Sequence, residues 1–129
     1  MIRNISISRK PEKRIAAILS KIGKPALVQI LLILTQGESC VCHLEAVLGG
    51  RQARISQHLM DLRKAGLVKT RRDGRNIYYR LVNEDIILII EAASQFLDID
   101  IDKLRSEYVK PFPNCKCSEC FVPSTDTES

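Results

Sequence analysis

The sequence predicts a mainly α-helical fold carrying one small β-hairpin, and three observations point to it. Apolar residues recur at helical spacing through most of residues 1–97. Asp73-Gly74 stands between two strand-like runs, which is a strong short-range hairpin signal. At 129 residues and 45 % hydrophobic, the chain can bury one core and has too little left for a second.

Residues 9–21 read as the first helix: Pro11 suits a first turn, Ile15, Ile18, Leu19 and Ile22 recur at helical spacing, and Gly23 ends the run. Pro25 opens a second helix, in which Val28, Leu31, Leu32 and Leu34 mark a buried element closed by Gly37. Ser39 is the expected N-cap of a short helix to about Leu48, with Leu44, Val47 and Leu48 inward and Gly49-Gly50 as the turn. The next helix, about residues 51–65, places Ile55, Leu59 and Leu62 at i, i+4 and i+7, and Gly66 sits where a left-handed residue belongs. Two helices joined by a tight glycine turn fit a helix-turn-helix.

Residues 67–72 and 75–82 then form the strands of the hairpin, with Ile77, Tyr79 and Leu81 alternating against Asn76, Tyr78 and Arg80. A last helix begins at Asn83 or Glu84 and runs to about Leu97. Within it Ile86 to Ile90 are apolar without a break, so the helix is apolar on every side, more than one small domain can cover. It is therefore expected to form a homodimer interface with the first helix. From Asp98 to Ser129 the chain is acidic, carries Pro111, Pro113 and Pro123, and is expected to be an irregular, cysteine-containing tail. Residues 1–14 carry charge without an apolar leader core, and no run reaches the length of a membrane span, so a cytoplasmic, unprocessed chain is expected.

The net charge of +5 is unevenly spread. Residues 51–80 hold nine Lys or Arg against two Asp, whereas residues 81–129 hold four against ten Asp or Glu. A basic segment of that density on a helix-turn-helix is the footprint of a phosphate-neutralising surface. On the helix after the turn, Ala53, Gln57, Met60 and Lys64 lie opposite the apolar face, flanked by Arg54 and Ser56. Gln pairs bidentately with adenine and Arg with guanine, and the N-terminal part of such a helix enters the major groove. Gln52, Arg54, Ser56 and Gln57 are thus the candidate base readers. Arg71, Arg72 and Arg75 surround the hairpin tip, where they suit backbone contacts or a minor groove. His58 is placed near the apolar side and is expected to pack rather than ligate.

With "ISQHLMDLRKAGLVKTRRDGRNIYYRL" on the page, the order of helix, glycine cap and basic wing resembles the ArsR/SmtB family of bacterial metal-responsive repressors over about residues 22–97. The resemblance implies a winged helix-turn-helix, a homodimer through the first and last helices, a palindromic double-stranded operator, and repression relieved by an inducer.

Five cysteines in a chain expected in the cytoplasm point to metal binding or redox sensing rather than to a disulfide scaffold. Cys40 and Cys42 are expected in the first turn of a helix, where the positive end of the dipole favours thiolate and hence soft metals. Positions i and i+2 of a regular helix point about 200° apart, so a shared ion would need that turn to unwind. Within the family, a CxC there looks like a site for arsenite, antimonite, cadmium or lead. The three-cysteine arsenic version has a third Cys where this chain has Glu45. Cys115, Cys117 and Cys120 are the remaining thiols; three thiolates suit As(III) or Sb(III), and four favour Cd(II), Pb(II) or Zn(II). The last helix has no His, which argues against the family's His-carboxylate zinc or nickel site, and His43 is a candidate outer partner of the thiols. A thiol-disulfide switch without metal is the alternative. No thioredoxin-like CxxC, Ser/His/Asp arrangement or phosphate-cradling loop supports an enzyme with an organic substrate.

Overall fold

A computed structural model describes residues 10–49 and 52–108. Within them the order is α1 (Pro11–Ile22), α2 (Pro25–Leu34), β1 (Ser39–Cys40), α3 (Val41–Leu48), α4 (Gln52–Lys64), β2 (Val68–Asp73), β3 (Asn76–Leu81), α5 (Ile86–Phe96) and α6 (Ile101–Ser106). The mainly helical fold with a small hairpin is thus as the sequence predicts.

Prolines in the first turns of α1 and α2 start both helices without losing an internal hydrogen bond. The two helices meet at 87°, and no single helix among the described residues is long and apolar enough to cross a membrane. Helix α2 is the centre of the core: Ile30, Leu31, Leu32 and Ile33 are all buried, and Leu44, Leu59, Leu62, Val68 and Leu81 close around them. Gly49 and Gly66 adopt the left-handed φ required by the turns after α3 and α4.

The sheet is antiparallel in the order β1-β3-β2. Strands β2 and β3 pair up to Asp73↔Asn76, so the loop residues are Gly74 and Arg75 rather than Asp73 and Gly74. The one-residue shift follows from Gly74, whose φ of 65° fits the first loop position of a Gly-X hairpin.

Three local expectations are corrected. Ser39 does not cap α3: it lies in β1, paired with Tyr79, and Cys40 is the cap residue. Cys40 is accordingly outside the first turn, with extended backbone at φ −82°, ψ 164°. The segment after Asp98 is not irregular throughout, because Asp100 accepts hydrogen bonds from the Asp102 and Lys103 amides and nucleates α6. Tyr108, just beyond α6, is buried against the main core.

Helix α5 ends with Asp98 at φ 64°. The Asp98 amide donates to the Gln95 carbonyl and the Ile99 amide to that of Ser94, the paired bonds of a Schellman ending that favours glycine at this position. Asp98→Gly is expected to stabilise the fold by about 0.5–1 kcal/mol, the relief of left-handed strain outweighing the entropy of the unfolded glycine; urea unfolding measures it.

Candidate functional site

Helix α4 presents two opposite faces. Ile55, Leu59 and Leu62 are buried, while Ala53, Arg54, Ser56, Gln57, Met60 and Lys64 are exposed. Burial of one stripe fixes the helix against α2 and α3 and leaves the other as a rigid outward surface. Ala53, Arg54, Gln57 and His58 line an open recess of about 500 Å³ on it. The Gln57 side-chain amide donates to Asp61 Oδ1 at 3.1 Å, one turn along the helix. Gln52 is the first residue of α4. His58 is half-buried, and its Nδ1 is buried with no hydrogen-bond partner among the described residues.

The three wing arginines are not equivalent. Arg72 and Arg75 are exposed beside the hairpin tip. Arg71, also exposed, instead lies back across the sheet: its Nε donates to both Glu38 oxygens at 3.1 Å and its Nη2 to Glu38 Oε1 at 2.7 Å. The same guanidinium lies 4.7 Å from the centre of the Tyr78 ring and 3.7 Å from Asp73. The hydrogen bond to Glu38 raises the Arg71 pKa above its already high ordinary value, so this cation is permanent.

Cys40 is buried and Cys42 half-buried. Cys40 has three simultaneous roles. Its Sγ accepts the His43 backbone N–H at 3.4 Å and so caps α3; its backbone pairs with Tyr78 of β3; and its side chain packs with the Tyr78 ring. Cys42 and Ala46 pack against that same small cluster, which is separate from the main core. The two thiols therefore share surroundings with a wing residue. Because Cys40 lies outside the helix, the 200° divergence expected of two helical positions does not apply. What restrains Cys40 is its cap, its strand and its packing.

His43 is fully buried, and the contact it is seen to make with Cys40 runs through its main-chain amide. Glu45, at the position of the family's third cysteine, holds Oε2 buried with no hydrogen-bond partner among the described residues, as does Ser39 with its Oγ. Among the described residues, no three His, Cys, Asp or Glu side chains come together to hold a metal ion. The donor set there is two thiols, soft in character but one short of the trigonal sulfur environment that As(III) takes. Cys115, Cys117 and Cys120 lie outside the described residues. Sequence reasoning missed Glu38, Tyr78 and Asp61 as neighbours of the candidate residues.

Comparison with known proteins places this geometry. The model of the bacterial regulatory protein arsR family matches residues 24–70, which run from α2 into β2. The biofilm growth-associated repressor of Agrobacterium fabrum is 43 % identical over 84 residues, covering 63 % of this chain and 72 % of that protein. The arsenic resistance transcriptional regulator ArsR2 of Pseudomonas putida is 36 % identical over 94 residues, covering 67 % of this chain and 82 % of that one. The crystal structure of the transcriptional repressor BigR from Xylella fastidiosa superposes with a TM-score of 0.62 at 30 % identity, over 74 % of this chain and 96 % of that chain. These relatives are regulators and not enzymes. The chain belongs to the ArsR family, and it is a DNA-binding transcriptional repressor with a winged helix-turn-helix fold.

Proposed function

We propose that this repressor works in the cytoplasm as a homodimer on a palindromic operator, and that it is released when As(III) or Sb(III) is held by cysteine thiolates beginning with Cys40 and Cys42. The observation that carries the proposal is the packing of both thiols in one cluster with Tyr78 of the wing. Cys40 cannot turn toward a shared ligand while it caps α3, pairs with β3 and packs on Tyr78. Ligation is therefore opposed by the same contacts that set the wing, and the bound and DNA-competent arrangements exclude one another.

Homodimer formation is supported by apolar side chains left in solvent. On α1, Ile15 is 58 % exposed; on α5, Leu88 is 61 % and Phe96 88 % exposed. Large apolar side chains exposed on both helices are what an interface between two copies would cover. It also answers the apolar run in α5, since Ile86, Ile87 and Ile90 face this chain's own core while Leu88 does not. On DNA, Gln52, Arg54, Ser56 and Gln57 read bases from α4, and Arg72 and Arg75 hold the backbone, with Arg71 joining them only if it leaves Glu38.

The third ligand comes from Cys115, Cys117 or Cys120. The Gln36 side-chain amide donates to the Arg105 carbonyl at 2.8 Å, which ties the end of α6 to the loop that leads, four residues on, to Cys40. Ten extended residues span about 33–36 Å, and Cys115 is ten residues past Arg105. Ligation within one subunit is therefore within reach. A fourth thiolate would shift preference to Cd(II), Pb(II) or Zn(II).

The test is titration of the reduced protein on operator DNA with arsenite, antimonite, cadmium, lead and zinc, in the full chain and in one truncated after Pro113. Release by arsenite or antimonite, weakened by truncation, is the expected result. Release by an oxidant alone, reversed by reductant, would assign a thiol redox switch instead. On the same DNA, Arg54→Ala or Gln57→Ala is expected to cost about 1–3 kcal/mol and relax sequence preference. Arg72→Ala should weaken all sequences alike and lower the salt slope by about 0.9, one phosphate contact; a sequence-dependent loss would contradict its backbone role.

A further inference from the structure

Four residues line up on one face of the sheet. The register puts Cys40 opposite Tyr78 and Tyr78 opposite Arg71 across the three strands, and directly opposed residues of antiparallel strands share a face. Glu38 is two residues before Cys40, so a continuation of the same alternation brings it to that face. The Arg71 guanidinium crosses from β2 over the Tyr78 ring and closes on Glu38 with a forked ion pair. Beneath it lie Cys40 and Tyr78, both nearly fully buried although their cluster is separate from the main core. The pair thus spans the sheet from its outermost strand on one side to that on the other, above the thiol cluster.

We propose that the Glu38–Arg71 ion pair, laid over Tyr78, is the positioning element that transmits ligand occupancy at Cys40 and Cys42 to the wing. The inference rests on the metalloid-release function proposed above. Strand β1 is two residues long, and Glu38 immediately precedes it, so a movement of Cys40 is carried to Glu38 with little slack. A forked guanidinium–carboxylate contact depends on two near-parallel bonds at close distance and is lost by a displacement of about 1 Å, which carries a bond of 2.7–3.1 Å beyond good geometry. When it opens, β2 keeps its pairing with β3 and its packing on α4, but the hairpin tip carrying Arg72 and Arg75 loses its side-chain tie to the segment that leads into α3. The wing therefore changes position even where α4 does not. Arg71 is suited to the task because Arg fixes direction as well as charge. Glu38 is the only carboxylate to which it makes hydrogen bonds among the described residues.

The experiment compares wild type, Glu38→Gln, Arg71→Gln and Arg71→Lys. Operator affinity is read by fluorescence anisotropy with and without arsenite, and thiolate ligation by near-ultraviolet absorption. Both partners are on the surface, so the variants are expected to fold, and circular dichroism checks it. In wild type, arsenite should lower affinity by a factor in the range of about 5–150. In Glu38→Gln and Arg71→Gln, ligation should be unchanged while that factor falls to about threefold or less, and Arg71→Lys should lie between. Amide exchange at Tyr78 and Arg71 should quicken on arsenite in wild type, and should already be quick without arsenite in the two Gln variants. A responsive wild type with equally responsive Gln variants would overturn the coupling and leave the functional proposal standing. A wild type that ignores arsenite would overturn both.

Discussion

Proteins carrying Cys40→Ser or Cys42→Ser will bind the operator as wild type does and stay bound when arsenite is added. Serine at 40 keeps an acceptor for the His43 amide, and Ser is a favoured helix cap, so α3 should retain its start. Cys42 is half-buried in the second position of α3 and is not its cap residue. What both variants lose is a thiol donor, and the described residues supply only two of these. The effect of arsenite on operator affinity, expected to be about 5–150-fold in wild type, should drop to none in either variant. Anisotropy titrations with and without arsenite decide the matter. A variant that is still released would remove the thiols from the mechanism.

Leu59→Ala will destabilise the fold by about 2–5 kcal/mol, the usual cost of emptying a fully buried leucine site. Leu59 is 0 % exposed and sits midway along the buried stripe of α4, between Ile55 and Leu62. Its removal loosens the seat of the helix that carries Arg54 and Gln57. Operator affinity should therefore fall together with the urea midpoint, whereas Arg54→Ala should lower affinity with the midpoint unchanged. Loss of affinity at full stability in Leu59→Ala would mean that its side chain acts by some route other than packing.

How legible the site was depended on how local its causes are. The outward face of α4 could be read directly, because Ile55, Leu59 and Leu62 repeat with the helical period and fix which residues lie opposite. The wing was equally readable from Gly74, with its loop off by one residue because the left-handed position falls at the glycine itself. Strand β1 left no such trace. It is two residues long and exists only because β3, almost forty residues later, pairs with it, so Ser39 looked like a cap and Cys40 like a helical residue. The contact of Arg71 with Glu38 spans 33 positions, and no spacing rule could separate Arg71 from Arg72. Helix α6 did carry a local signal in the Asp100 cap, but six residues within an acidic, proline-rich stretch gave too little periodicity to outweigh composition.

The bond between Gln57 and Asp61 also bears on how a repressor rejects the wrong sequence. On the base-reading role proposed for Gln57, it must first give up a carboxylate acceptor on its own helix. Adenine offers the amide an acceptor and a donor together, so two bonds replace one and the exchange is favourable. A base edge that offers a single poorly placed contact returns no more than what was surrendered, and it leaves Asp61 near the phosphate-rich groove without its neutral partner. On that proposed role, discrimination is partly set before any DNA arrives, by an internal competitor that every base must outbid.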